Sequence, residues 1–495
     1  MKPTPFDSPE FQHGINRRTF LGRAAYGLGG IALASLLNPR MTGGVANAEE
    51  IKRWHGIVNP PHFPIKARRV IHLCMAGGPS HLETFDYKPK LKELHGQPFP
   101  ESFTKGQQLA QLQNAELKAR GPFCEFKKWG QSGQEISTLF PSIGGIADDI
   151  CIVRSMHTEQ INHDPAHAFM NSGSIIKGRP SMGSWLLYGL GAEAEDLPGF
   201  IVLNSAGRTG LQPVSARQWS AGFLPSKFQG VQFQSKGDPV HYVGNPDGVC
   251  QSTQRQVVEE IKRMNGILEE DHVDPEIQTR ITQLELAFKM QTSVPELVDL
   301  KSEPQHILEM YGVKKPGDGS FASNCLLARR LAERGVRFIQ LYHRAWDHHG
   351  DIENGMKWGA EDVDRASAAL VKDLKQRGML DDTLILWGGE FGRTPMMQNN
   401  VNSELKKGYV GRDHHPYAYT MWLAGGGIKG GLSYGVTDEF GYYPIENSVN
   451  IRDLQATILN ALGLDPYRFV YPYQGLDNRL IGPTDDGKIL KEIVS

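Results

Sequence analysis

Between residues 326 and 462, apolar helices alternate with short, continuously apolar runs, and no other feature limits the fold as strongly. Residues 326–334 read as a helix with Gly335 just past its end, followed by a strand over 336–342. Residues 366–377 with Gly378 repeat the arrangement ahead of a strand over 383–387. A further strand is expected over 419–423, and a closing helix over 451–462 ended by Gly463. Strands without polar alternation are buried on both faces, and the intervening helices supply the covers. The expectation is an α/β fold with a mostly parallel sheet covered by helices on both faces. Upstream, residues 69–75 running into Ala76-Gly77-Gly78-Pro79, residues 149–154 and residues 199–203 read as more buried strands.

Residues 254–310 break this rhythm with charged helical periodicity (Val257, Ile261, Met264, Ile267), and a helical insertion is expected there. At the other end, Asn16-Arg17-Arg18-Thr19-Phe20-Leu21, an apolar glycine-interrupted stretch and Ala46-Asn47-Ala48 follow the order of an export signal. Residues 1–48 are therefore expected to be a twin-arginine signal peptide, 49–68 a linker and 69–495 the working domain. The protein is expected in the periplasm or outside the cell, with no stable membrane span after cleavage. Lys plus Arg (53) nearly cancels Asp plus Glu (55), so nucleic acid is not an expected partner. Five cysteines without a C-x-x-C pair exclude a disulfide-dense scaffold and a thiolate zinc site.

Chemistry-bearing residues gather where the strands end, which in open parallel sheets is where ligands bind. Ser80, His81, Glu83 and Asp86 follow the first strand; His157, His163, Asp164 and His167 follow the second. His343 and Trp346-Asp347-His348-His349 follow the strand over 336–342. Gly389-Glu390-Phe391-Gly392-Arg393-Thr394-Pro395 follows that over 383–387, and Gly411-Arg412-Asp413-His414-His415 precedes that over 419–423. Imidazoles mixed with carboxylates suit zinc, manganese or iron(II); calcium or magnesium, which favour oxygen, are the alternatives. Adjacent histidines diverge, so one ligand is expected from His348/His349 and one from His414/His415. His163 and His167 share a helix face, or Asn162-His163-Asp164-Pro165 is simply a helix start. Arg393 either holds an oxyanion or pairs within its loop.

At these residues the chain resembles the DUF1501 family of exported bacterial proteins, placed with sulfatases in the alkaline phosphatase-like superfamily. Ala76-Gly77-Gly78-Pro79-Ser80-His81 with Thr84-Phe85-Asp86, Trp346-Asp347-His348-His349, the Gly389–Pro395 run and Gly411-Arg412-Asp413-His414-His415 resemble its signatures. The resemblance implies an alkaline phosphatase-like core and a divalent-metal hydrolase of sulfate or phosphate esters, small or on glycans. The metal ligands it implies come from His81, Asp86, Asp347, His348, His349, Glu390, His414 and His415, with His163, His167 and Arg393 catalytic. The sequence departs from the superfamily where the nucleophile belongs: His163 stands at the cysteine or serine position, and His167 at that of the following arginine. A formylglycine mechanism is thereby disfavoured, and metal-activated water or a covalent His163 are the remaining schemes. A non-catalytic protein that keeps a metal and binds a polysaccharide or an exported partner is the alternative.

Overall fold

The computed structural model describes residues 54–208, 212–235, 239–240, 250–271, 275–399, 410–483 and 487–495. The expected signal peptide lies outside the described residues. A nine-stranded sheet forms the centre. Its strands are β1 (Arg69–Met75), β2 (Ile150–His157), β3 (Phe200–Ser205), β4 (Val231–Gln232), β5 (Phe338–His343), β6 (Thr383–Gly388), β7 (Tyr419–Ala424), β8 (Leu432–Tyr434) and β9 (Val449–Asn450). The order is β8-β2-β7-β6-β1-β5-β3-β4, with β9 also beside β2. Pairing is parallel throughout except at β7, which runs against both β6 and β2. An apolar run has no direction in its composition, so this reversal is not visible in the sequence.

Helices cover both faces, as the continuous burial of β1, β5 and β6 requires. On one face Ile71, Leu73, Ile339 and Ile385 pack against α5 (Phe321–Glu333) and α6 (Ile352–Gln376). On the other, Val70, Phe338 and Leu386 meet α1 (His163–Ser172), α2 (Met182–Leu190) and α7 (Ile451–Ala461). Each fully buried aliphatic side chain contributes about 1.5–3 kcal/mol. The segment expected to insert contains α3 (Gln251–Asp271) and α4 (Pro275–Val298), and α4 lends Met290, Val294 and Leu297 to the first core. No described helix is long and apolar enough to cross a membrane.

Two boundaries differ from expectation for physical reasons. The helix α6 begins at Ile352, not near 366, and carries Gly355 and Gly359 in its first turns, where they lie against the His348 and Trp346 rings. A Cβ at Gly359 would sit 2.7 Å from the Trp346 ring, so the glycines admit aromatic neighbours to a continuous helix. The described part of the expected linker is fastened to the domain. Ile57 and Val58 donate backbone hydrogen bonds to Tyr188 and Gly189, and Phe63 and Lys66 donate to Gly463 and Ala461.

Candidate metal centre

The reversed direction of β7 assembles the site. Loops that follow parallel strands β1, β5 and β6 emerge at one sheet edge, and the loop that precedes antiparallel β7 arrives at the same edge. His414 and His415 enter it as a two-residue ribbon strand, antiparallel to Gly392–Arg393, with His414 opposite Arg393. His163 comes from the first residue of α1, whose N-cap is Asn162.

His163, Asp347, His349 and His414 converge, with one ligand atom from each lying within 4.8 Å of all the others. His349 Nε2 is 3.0 Å from Asp347 Oδ1 and 2.9 Å from His414 Nε2. His414 Nε2 is 3.3 Å from Asp347 Oδ1, and His163 Nε2 is 3.2 Å from Asp347 Oδ2. The far side of each ring decides what these atoms can do. His414 Nδ1 lies 2.8 Å from the Ile161 carbonyl oxygen, which only accepts, so the proton sits on Nδ1. His163 Nδ1 donates to Glu390 Oε1 at 2.6 Å. His349 Nδ1 lies 2.7 Å from Gln398 Oε1, and Gln398 Nε2 donates to Gln111 Oε1 at 2.7 Å, an arrangement in which Nδ1 is the donor. With Nδ1 serving the outer oxygen, each Nε2 is left to Asp347: it donates there when the ring is protonated and offers a lone pair to a cation when the ring is neutral. The 2.9 Å contact between the His349 and His414 Nε2 atoms accommodates a shared proton or a bound cation, and an outer oxygen on each histidine is how metal-binding imidazoles are oriented.

The charges follow the same plan. Burial alone would raise Asp347, but the Arg393 guanidinium and hydrogen bonds from His163, His349 and His414 hold its carboxyl far below the usual range. Burial lowers His414 to about 4, so it is neutral near pH 7 and able to ligate. Burial would lower His163 too, yet its bonds to Asp347 and Glu390 outweigh it and raise the imidazole. Glu390, fully buried, accepts from Gly77 N at 3.0 and 3.2 Å and lies 3.3 Å from His167 Nε2. Burial opposes its charge, but His167 and His163 bring the carboxyl down to about 2. Gly77, at φ +118°, has no room for a side chain: a Cβ would collide with the backbone of Trp346 and Asp347.

The remaining residues expected at the site lie elsewhere in the geometry. His348 turns away, buried against Trp346 and Gly355. His415 and His81 stack on each other at 6.3 Å and bond to the carbonyls of Tyr442 and Gly441. Asp86 pairs with Lys88 at 3.1 Å and accepts from Thr437. None of these four is among the converging groups. Glu390 stands behind His163, and His167, fully buried, stands behind Glu390. Arg393 does not face open space. Its guanidinium is buried and engaged by Asp347 Oδ1 at 2.6 Å and by the carbonyls of Gly77, Gly78, Trp346 and Arg412. It braces the loops, which is the pairing role and not the oxyanion-holding one of the two expected for it.

Gln111 and Gln398 are absent from any sequence-level expectation, because an isolated amide carries no spacing signal. Gln111 is placed by Asp413, whose Oδ2 accepts from the backbone of Gln111 and Leu112 at 2.6 and 2.8 Å while Oδ1 accepts from His414 N, and Gln398 by its strand pairing with Gly411. Arg412, beside it, forms a fully buried pair with Glu83 at 2.6 Å.

Fold and centre together define an α/β protein with a histidine-rich candidate metal site at the carboxyl ends of the central parallel strands. The chain belongs to the DUF1501 family, described as a protein of unknown function, whose profile matches residues 67–494. No curated protein is similar to it in sequence. Similar solved structures include the PsFucS1 sulfatase from Pseudoalteromonas sp. (12% identity, 86% of this chain and 73% of that one, TM-score 0.34). Others are the TAB5 alkaline phosphatase mutant His 135 Glu with Mg bound in the M3 site (11%, 81% and 99%, TM-score 0.32) and Ps i-CgsB with k-i-k-neocarrahexaose (10%, 80% and 72%, TM-score 0.33). Likenesses at these scores say nothing about this chain's chemistry.

Proposed function

We propose that the chain is an exported metal-dependent hydrolase of sulfate or phosphate esters that uses metal-activated water. The observation that carries the reading is the convergence of three imidazole Nε2 atoms on Asp347, each imidazole oriented from behind by an oxygen. The choice of ester class rests on the resemblance of the sequence signatures to sulfatase-like hydrolases.

A nitrogen-rich donor set fits zinc or manganese better than calcium or magnesium. Asp347, His349, His414 and His163 would hold the ion, and a divalent ion in such a set supplies Lewis acidity and a water acidic enough to act near neutral pH. Asp347 stays ionised. Gln398, the Ile161 carbonyl and Glu390 keep protons on Nδ1, so each Nε2 stays available. The start of α1, where His163 sits, offers free peptide N–H groups to an anionic ester. None of the five cysteines falls in that first turn, which leaves formylglycine chemistry without its precursor.

The test is to purify the protein without chelator, measure metal per chain, and screen aryl sulfates, aryl phosphates and diesters with zinc and manganese. Turnover abolished by chelator and restored by metal supports the proposal. Metal-free protein with full activity overturns it, and stoichiometric metal with no turnover favours a binding protein. A covalent His163 is the second reading, favoured by the 2.6 Å Glu390–His163 bond, which also suits an activated nucleophile. Trapping of labelled phosphate on protein denatured in alkali, where a phosphoramidate survives, distinguishes the two.

A further inference from the structure

Around His349 three hydrogen bonds close a ring. His349 Nδ1 donates to Gln398 Oε1, Gln398 Nε2 donates to Gln111 Oε1, and Gln111 Nε2 lies 3.3 Å from His349 Nε2. That last atom is the one that faces Asp347 and His414. A cation that takes the His349 lone pair must break the ring at this link and at no other, because Nδ1 and both remaining amide bonds are untouched. The Gln111 N–H then has no partner within the ring. It remains anchored beside the centre through Gln398 and through the Asp413 clamp on its backbone N–H. Gln111 itself is exposed, whereas Gln398 and Asp413 are buried, so the amide stands on the open side of the centre on a fixed base.

We infer that Gln111 is a substrate-positioning donor: with the centre occupied, its amide N–H hydrogen-bonds an oxygen of the anionic sulfate or phosphate group, and Gln398 holds it and the His349 tautomer together. The inference rests on the hydrolase reading above and adds a specificity residue to it. It also separates two roles that the ring links. Gln398 acts on the metal through His349, whereas Gln111 acts on the anion.

The test uses zinc and inorganic phosphate as probes on the full chain, with metal stoichiometry, zinc affinity by chelator competition and phosphate affinity by calorimetry. Gln111→Ala is expected to keep one zinc per centre at unchanged or tighter affinity and to bind phosphate about tenfold more weakly, the usual scale for a hydrogen bond to a charged group. Gln111→Glu places a carboxylate against the anion and is expected to weaken phosphate further while zinc binding holds. Gln398→Ala is expected to lose about 10–100-fold in zinc affinity through the orientation of His349. Unchanged phosphate affinity in Gln111→Ala at full zinc occupancy overturns the inference and leaves the hydrolase reading standing. So does a loss of zinc in that variant equal to the loss in Gln398→Ala. Wild-type protein that binds no metal overturns the hydrolase reading itself.

Discussion

Replacing Glu390 with Gln tests whether the centre depends on the group behind His163. The carboxylate oxygen Oε1 takes the His163 Nδ1 proton at 2.6 Å, and Gly77 N donates to both carboxylate oxygens at 3.0 and 3.2 Å. A charge-assisted hydrogen bond of this kind contributes about 1.5–3 kcal/mol against about 0.5–1.5 for a neutral one. Losing the charge while keeping an oxygen toward His163 therefore costs on the order of 1–1.5 kcal/mol, about tenfold in metal affinity. If the amide instead turns its NH2 toward His163, the ring must accept at Nδ1. Its proton then moves to Nε2 and that ligand is lost, which extends the range to about 100-fold. The assay is competition with a chromophoric chelator at fixed pH, with circular dichroism to show that both proteins are folded. Unchanged affinity in folded Glu390→Gln would refute the idea that the outer oxygens set the tautomers.

Three further outcomes are expected. Zinc at about 100 times its dissociation constant should stabilise the fold by about 2.7 kcal/mol in chemical unfolding, and His349→Ala should abolish this gain. His72, fully buried on β1, is lowered to about 4 by burial and by His167. The unfolded chain then takes up a proton near pH 6.5 that the folded chain refuses, so stability is intact above that pH and falls as pH drops toward 4, by up to about 1.4 kcal/mol per unit. Urea unfolding of His72→Leu should lack this part of the slope, and equal slopes in both proteins would contradict it. Glu83→Gln strands the buried Arg412 guanidinium and should cost about 3–5 kcal/mol by the same measurement, with a loss below about 1 kcal/mol counting against the pair.

Much of the fold is legible in the sequence because burial on both faces leaves strands without polar alternation, as in residues 336–342, and glycine after a helix marks its end. The direction of β7 is not legible, since reversing an apolar run changes nothing in its composition. The same holds at the site. Asp347, His349 and His414 stand in loops that composition alone marks as crowded with ligand-type residues. Which imidazole of each pair turns inward depends on the ribbon that sets His414 opposite Arg393, and on the packing of His348 against Gly355. Both are tertiary contacts. Arg393 reads equally as an oxyanion holder or a loop brace until the carbonyls of Gly77, Gly78 and Arg412 are seen to surround it.

The collision that any side chain at Gly77 would cause has a consequence for how this centre can diversify. The loop over 76–78 is wedged between the backbones that carry Asp347 and Glu390, so the floor admits no added volume and transmits any insertion directly to the ligand positions. Change in what the protein accepts must then be confined to the rim. The exposed segment around Gln111 is held there by the buried Asp413 carboxylate at its backbone, so its exposed side chains, Gln111 and the buried Leu112 apart, can vary without disturbing the floor.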